Sequence, residues 1–160
     1  MSHTKTMPPV ARMTPYDRLG GADGIKALVD RFYELMDALP EAWAVRRIHP
    51  ESLAGSADSL FKFLSGWLGG PQLFMQERGH PRLRMRHAPY AIGKTERNGW
   101  MLCMRLALDE QVADPDLHAS LLRAFWDMAC HLVNTDGRDG CSCSHDKADT
   151  SHATSPAQAG

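Results

Sequence analysis

Arg78-Gly79-His80-Pro81-Arg82-Leu83-Arg84-Met85-Arg86-His87-Ala88-Pro89-Tyr90-Ala91-Ile92 is the stretch that decides the fold of this chain. The residues between Pro81 and Pro89 allow about two helical turns and no more. Leu83 and His87 are four apart and share a face of that short helix. Arg84 and Arg86 flank the imidazole with positive charge. Taken alone, a histidine among arginines is more often a solvated loop residue. An imidazole carried on a short, proline-bounded helix into an apolar core is also how a protein offers one axial ligand to iron. The surrounding sequence has to decide between the two.

Downstream, Thr95-Glu96 opens a long helix with Trp100, Met104, Ala107 and Leu108 on one face. Asp114-Pro115 caps the last helix, whose stripe runs through Leu117, Leu121, Leu122, Phe125, Met128, Ala129, Leu132 and Val133. Upstream, Leu60, Phe63, Leu64, Trp67 and Leu68 form another helical face, stopped by Gly69-Gly70-Pro71. Thr14-Pro15-Tyr16-Asp17 reads as a hydroxyl-capped helix start, broken by Gly20-Gly21. Ile25, Leu28, Val29, Phe32, Tyr33 and Met36 then recur at three and four residues until Pro40. Trp43 to Pro50 reads as irregular, and periodicity is poor from Gln72 to Gly93. No strand pattern and no internal repeat appears, so the expected class is all-α.

The chain has 160 residues, 18 basic and 19 acidic. So even a balance predicts no steering to nucleic acid or an anionic surface. No apolar run approaches the roughly 20 residues of a membrane span, and no secretory signal is visible, which makes the cytoplasm the expected location. We expect residues 1–15 to be a flexible extension, 16–137 one domain and 138–160 a disordered tail poor in large hydrophobes. Cys103 and Cys130 lie within apolar helical patterns, where a reduced thiol acts as a small hydrophobe. Cys141, Cys143 and His145 in the tail are good metal ligands in kind, but three ligands on a Gly- and Ser-rich segment complete no tetrahedral structural site.

Three further residues carry candidate chemistry. Tyr33 sits on an apolar stripe, where a buried phenol needs a partner for its hydroxyl. A backbone carbonyl would satisfy it, and so would a bound ligand. Trp100 begins the apolar face of its helix, and its indole nitrogen can only donate. His49, before Pro50, has its backbone held extended. His80 is expected to be solvated or to cap the short helix, and His118 and His131 to be structural.

Together these residues resemble a group II truncated haemoglobin. The resemblance rests on Tyr16-Asp17-Arg18-Leu19-Gly20-Gly21, Arg31-Phe32-Tyr33, Arg46-Arg47-Ile48-His49-Pro50-Glu51, Leu53-Ala54-Gly55, Trp67 to Pro71 and above all Arg78 to Ile92, and spans about residues 16 to 136. It implies a shortened globin, a two-over-two helical sandwich around a haem. No Cys-x-x-Cys-His motif is present, so a b-type haem would be held non-covalently. His87 would be the iron ligand and Arg86 a propionate partner. Leu60, Phe63 and Leu64 would line the distal wall, with Leu83, Tyr90, Ile92 and Met104 completing the pocket. Ser56 stands where larger globins carry a distal histidine. The distal donors would then be Tyr33, Trp100 and His49.

The implied function is reversible binding of O2, NO and CO in a polar pocket, for ligand storage, scavenging or redox chemistry. Two or three donors would slow O2 release, which argues against bulk delivery. The alternatives are NO dioxygenation or peroxide reduction, with His49 as an acid–base group and an unidentified reductase as partner, or a gas or redox sensor. A monomer or homodimer is expected.

Overall fold

The computed structural model describes residues 13–135; the extension before it and the tail with Cys141, Cys143 and His145 lie outside the described residues. Nine helical segments follow one another among them: α1 (Pro15–Arg18), α2 (Gly21–Ala38), a 3-10 turn (Pro40–Ala42), α3 (Trp43–Arg46), α4 (Ala54–Trp67), α5 (Leu73–Arg78), α6 (Leu83–His87), α7 (Lys94–Gln111) and α8 (Pro115–Leu132). No strand occurs among the described residues.

The punctuation expected from sequence has local causes. The Thr14 hydroxyl accepts from the Asp17 amide at 3.2 Å, and the Asp17 carboxylate accepts from the Thr14 amide at 3.2 Å, a reciprocal cap. Gly20 and Gly21 take φ of +99° and +68°, a left-handed path that side chains resist. Gly24, one turn into α2, passes so close to Leu19 that a Cβ would lie 1.7 Å from its carbonyl oxygen. Asp114 caps α8 by accepting from the amides of Asp116 and Leu117.

Four long helices supply the frame. α2 packs on both α4 and α7, and α7 packs on α8. Their apolar stripes meet in one core, in which Ile25, Leu28, Phe32, Leu64, Met104, Leu108 and Phe125 are fully buried. Polar clamps tie α2 to α7: Arg31 Nε donates to Glu110 at 2.7 Å and Gln111 Nε2 to the Gly24 carbonyl at 2.6 Å. Cys103 and Cys130 are both buried and in no disulfide among the described residues.

Two stretches differ from the sequence reading. The segment 43–50 is not irregular throughout, because Pro40–Ala42 and Trp43–Arg46 form consecutive short turns. Arg46 organises the loop after them, bonding Asp37 at 2.9 Å and the carbonyls of Pro50 and Glu51 at 2.9 and 2.8 Å. Within 72–93, Leu73–Arg78 is helical although only Phe74 is buried there. Pieces of four to six residues are too short for a periodic signal and are held by side-chain hydrogen bonds instead.

Candidate functional site

A cavity of about 430 Å³ opens among α2, the 47–52 loop, α4, α6, α7 and α8, a size suited to a cofactor. Of the residues singled out from sequence, Tyr33, His49, Leu60, Phe63, Leu83, Arg86, His87, Tyr90, Ile92 and Trp100 all line it. Leu64 and Met104 do not. Both are fully buried in the helix-to-helix core. The helical period marks a side chain as inward without distinguishing core from cavity.

His87 closes α6, and its Nδ1 lies 2.7 Å from the Leu83 carbonyl. A carbonyl only accepts, so the proton sits on Nδ1 and the Nε2 lone pair is left free. This is the tautomer in which an imidazole binds a metal, oriented by a bond from its other nitrogen. Among the described residues no group of three or more His, Cys, Asp or Glu is placed to hold a bare metal ion. A single imidazole suits a metal that arrives in its own ring of ligands.

Tyr33 comes from α2 and is only 8% exposed. Its ring packs edge-on against Phe32 at 4.8 Å and against His49 at 5.9 Å. Its hydroxyl makes no hydrogen bond with any described residue, yet no fully buried polar side-chain atom lacks a partner. The hydroxyl therefore reaches the cavity. Burial pushes its pKa above the ordinary tyrosine value, so it stays a donor. Trp100 from α7 is wedged between Phe32 at 4.9 Å and Phe125 at 5.8 Å. Its indole N–H likewise has no partner among the described residues. Two donors thus face a space whose other walls are largely apolar.

His49 behaves differently from a donor. Its Nδ1 lies 2.8 Å from the Val45 carbonyl, which puts the proton there and leaves Nε2 an acceptor. Burial holds its pKa below the ordinary value, with a smaller contribution from the positive charge of Arg46, while the Val45 bond opposes the shift. At neutral pH it is an uncharged base.

The arginines divide their work. Arg86 lines the cavity, but its Nε donates to the Pro81 carbonyl at 2.7 Å and its Nη2 to that of Arg78 at 3.3 Å, over the Phe74 ring. Arg84 is exposed and not part of the lining. Arg97, which sequence reasoning missed, lines the cavity with its guanidinium 4.6 Å over the Trp126 ring. Phe74, Met128 and Leu132 were also missed as lining. Met128 and Leu132 belonged to a legible stripe, whereas Phe74 had none. Ser52, Ser56 and Ser59 form the polar part of the α4 side. His80 accepts from the Arg82 amide at 3.1 Å, in the turn before α6, and His118 pairs with Asp109 at 2.7 Å on the surface.

Comparison with known proteins then decides the family. The family described as bacterial-like globin matches residues 14–134. The chain belongs to the bacterial-like globins. The "Group 2 truncated hemoglobin YjbI" of Bacillus subtilis is 34% identical over 129 residues, covering 80% of this chain and 95% of that protein. A "Group II 2-on-2 Hemoglobin" from Agrobacterium tumefaciens has a solved structure that superposes with a TM-score of 0.77 at 41% identity, over 81% of this chain and 99% of that one. A cold-adapted truncated haemoglobin from Pseudoalteromonas haloplanktis TAC125 gives 0.75 at 42% identity, over 77% and 99%. This globin is accordingly a group II truncated haemoglobin with the two-on-two helical fold. Family membership implies a haem cofactor and a small-ligand site. The residues around the cavity fit such a group: two imidazoles, His87 and His49, each held through Nδ1 by a backbone carbonyl, with apolar walls, arginines and two unpartnered donors. Among the described residues no helix is long and apolar enough to cross a membrane.

Proposed function

We propose that this globin holds a b-type haem non-covalently in the cavity, with His87 Nε2 as the protein ligand to iron, and reversibly binds O2, NO and CO. The observation that carries the reading is the pairing of a tautomer-fixed His87 with two unpartnered donors, Tyr33 and Trp100, in one cavity. The haem iron supplies the centre at which a diatomic gas binds. The Leu83 carbonyl keeps the proton of His87 on Nδ1. Leu60, Phe63, Leu83, Tyr90 and Ile92 surround the ring and exclude water, while Leu64 and Met104 support it from the core. Arg86 and Arg97, which both line the cavity, would pair with its propionates. The Tyr33 hydroxyl and Trp100 N–H donate to partial negative charge on the gas, strongly so in a dry site. Such donors slow release, which suits storage, scavenging or redox chemistry better than bulk delivery.

His49 favours a second reading. An uncharged imidazole with Nε2 as acceptor could take a proton from one oxygen of hydrogen peroxide and return it to the other as the O–O bond breaks. An external reductase supplies two electrons and solvent two protons, so that two waters form.

Absorption spectra in ferric, ferrous and oxygenated states test the first reading. A Soret band that is lost in His87→Gly and restored by added imidazole is expected. No Soret band after haem reconstitution would overturn it.

A further inference from the structure

We infer that Asn134, just beyond α8, is the positioning residue that holds His87 in place; the inference rests on the reading of His87 as the iron ligand. α6 has only five residues, none of them buried. A helix this short is not stable on its own, and no core side chain pins it. Its start is already awkward, since Arg82 takes a left-handed φ of +42°, which residues with a Cβ resist. Its end is fixed by a set of hydrogen bonds from one side chain. Asn134 Nδ2 donates to the His87 carbonyl at 3.3 Å and to the Tyr90 carbonyl at 2.8 Å. Asn134 Oδ1 accepts from the Ile92 amide at 2.9 Å. The Asn134 and Thr135 amides donate to the Ile92 carbonyl at 2.8 and 3.3 Å.

The amide side chain suits this place because it offers an acceptor and two donors in one fork. It ties the backbone of His87 itself, and the loop beyond it, to the end of a long, well-packed helix. Besides the turn bond from the Tyr90 amide to the His87 carbonyl at 3.0 Å and the Arg86 bonds to the Pro81 and Arg78 carbonyls, the imidazole is constrained by its own Leu83 bond and by this clamp. The direction in which Nε2 points is therefore set by Asn134 through the backbone.

Full-length protein reconstituted with haem is compared as wild type, Asn134→Ala and Asn134→Asp, with far-UV circular dichroism confirming helicity. Asp keeps the acceptor for Ile92 but loses both donors, so the two variants separate the bonds. We expect the iron–histidine stretching band of the ferrous protein to shift or broaden in both, and haem loss to accelerate about tenfold. Exchange of the Ile92 amide should quicken in Asn134→Ala and stay slow in Asn134→Asp. An unchanged band and haem-loss rate in both variants, with the band still lost in His87→Gly, would overturn the positioning role and leave His87 as ligand. A band that survives His87→Gly would overturn both.

Discussion

Replacing Tyr33 by Phe separates a ligand-facing hydroxyl from a structural one. The residue is only 8% exposed, and its contacts with Phe32 and His49 involve only the ring. The substitution keeps those contacts and removes one oxygen that has no partner among the described residues. Nothing buried is orphaned, so the unfolding free energy should change by less than about 0.5 kcal/mol. A lost bond to a partly anionic ligand is worth about 1 to 3 kcal/mol, or about five- to 150-fold in O2 dissociation rate. Stopped-flow displacement of O2 by CO reads the rate, and urea unfolding of the same samples reads stability. Because burial raises the Tyr33 pKa above its ordinary 10.0, the hydroxyl stays protonated and the wild-type rate should be flat from neutral pH to about 10. An unchanged dissociation rate with a stability loss of about 1 kcal/mol would refute the reasoning, because it would mean the hydroxyl serves the fold.

Trp100→Phe removes the indole donor while keeping a ring between Phe32 and Phe125. Faster O2 release, by about five- to tenfold, should accompany a stability cost of about 1 to 2 kcal/mol. For His49 the lowered pKa means that the unfolded chain takes up its proton first as pH falls. Stability should decline as pH drops below about 6.5, then level off once the folded protein is protonated too. Urea midpoints across that range should lose this segment in His49→Phe. Gly24→Ala would set a Cβ 1.7 Å from the Leu19 carbonyl oxygen; a loss of more than about 3 kcal/mol is expected in thermal unfolding.

Helix length and local chemistry governed how much of the fold was legible. The stripes through Ile25 to Met36, Leu60 to Leu68, Trp100 to Leu108 and Leu117 to Leu132 were legible because successive turns repeat a period. Their ends were legible because Thr14, Gly20-Gly21, Pro40, Gly69-Gly70 and Asp114-Pro115 act locally on the backbone. His87 stood out through its bracketing prolines, Tyr33 and Trp100 as polar groups on apolar faces. The short turns at 40–46 and 73–78 were not legible, since each depends on partners elsewhere, such as Arg46 reaching Asp37 and the Pro50 and Glu51 carbonyls.

By itself, the sequence determined the all-α class, the four long helices and a histidine on a short helix bounded by Pro81 and Pro89. Only the tertiary structure decided which inward side chains face a cavity and which, like Leu64 and Met104, are core. It also decided the protons: backbone carbonyls of Leu83 and Val45 put them on Nδ1 of His87 and His49. Both imidazoles are thereby left with an unprotonated Nε2, able to bind a metal or to accept a proton. A hydrogen bond's partner is a matter of position in space, and a side chain's chemistry follows from its partner.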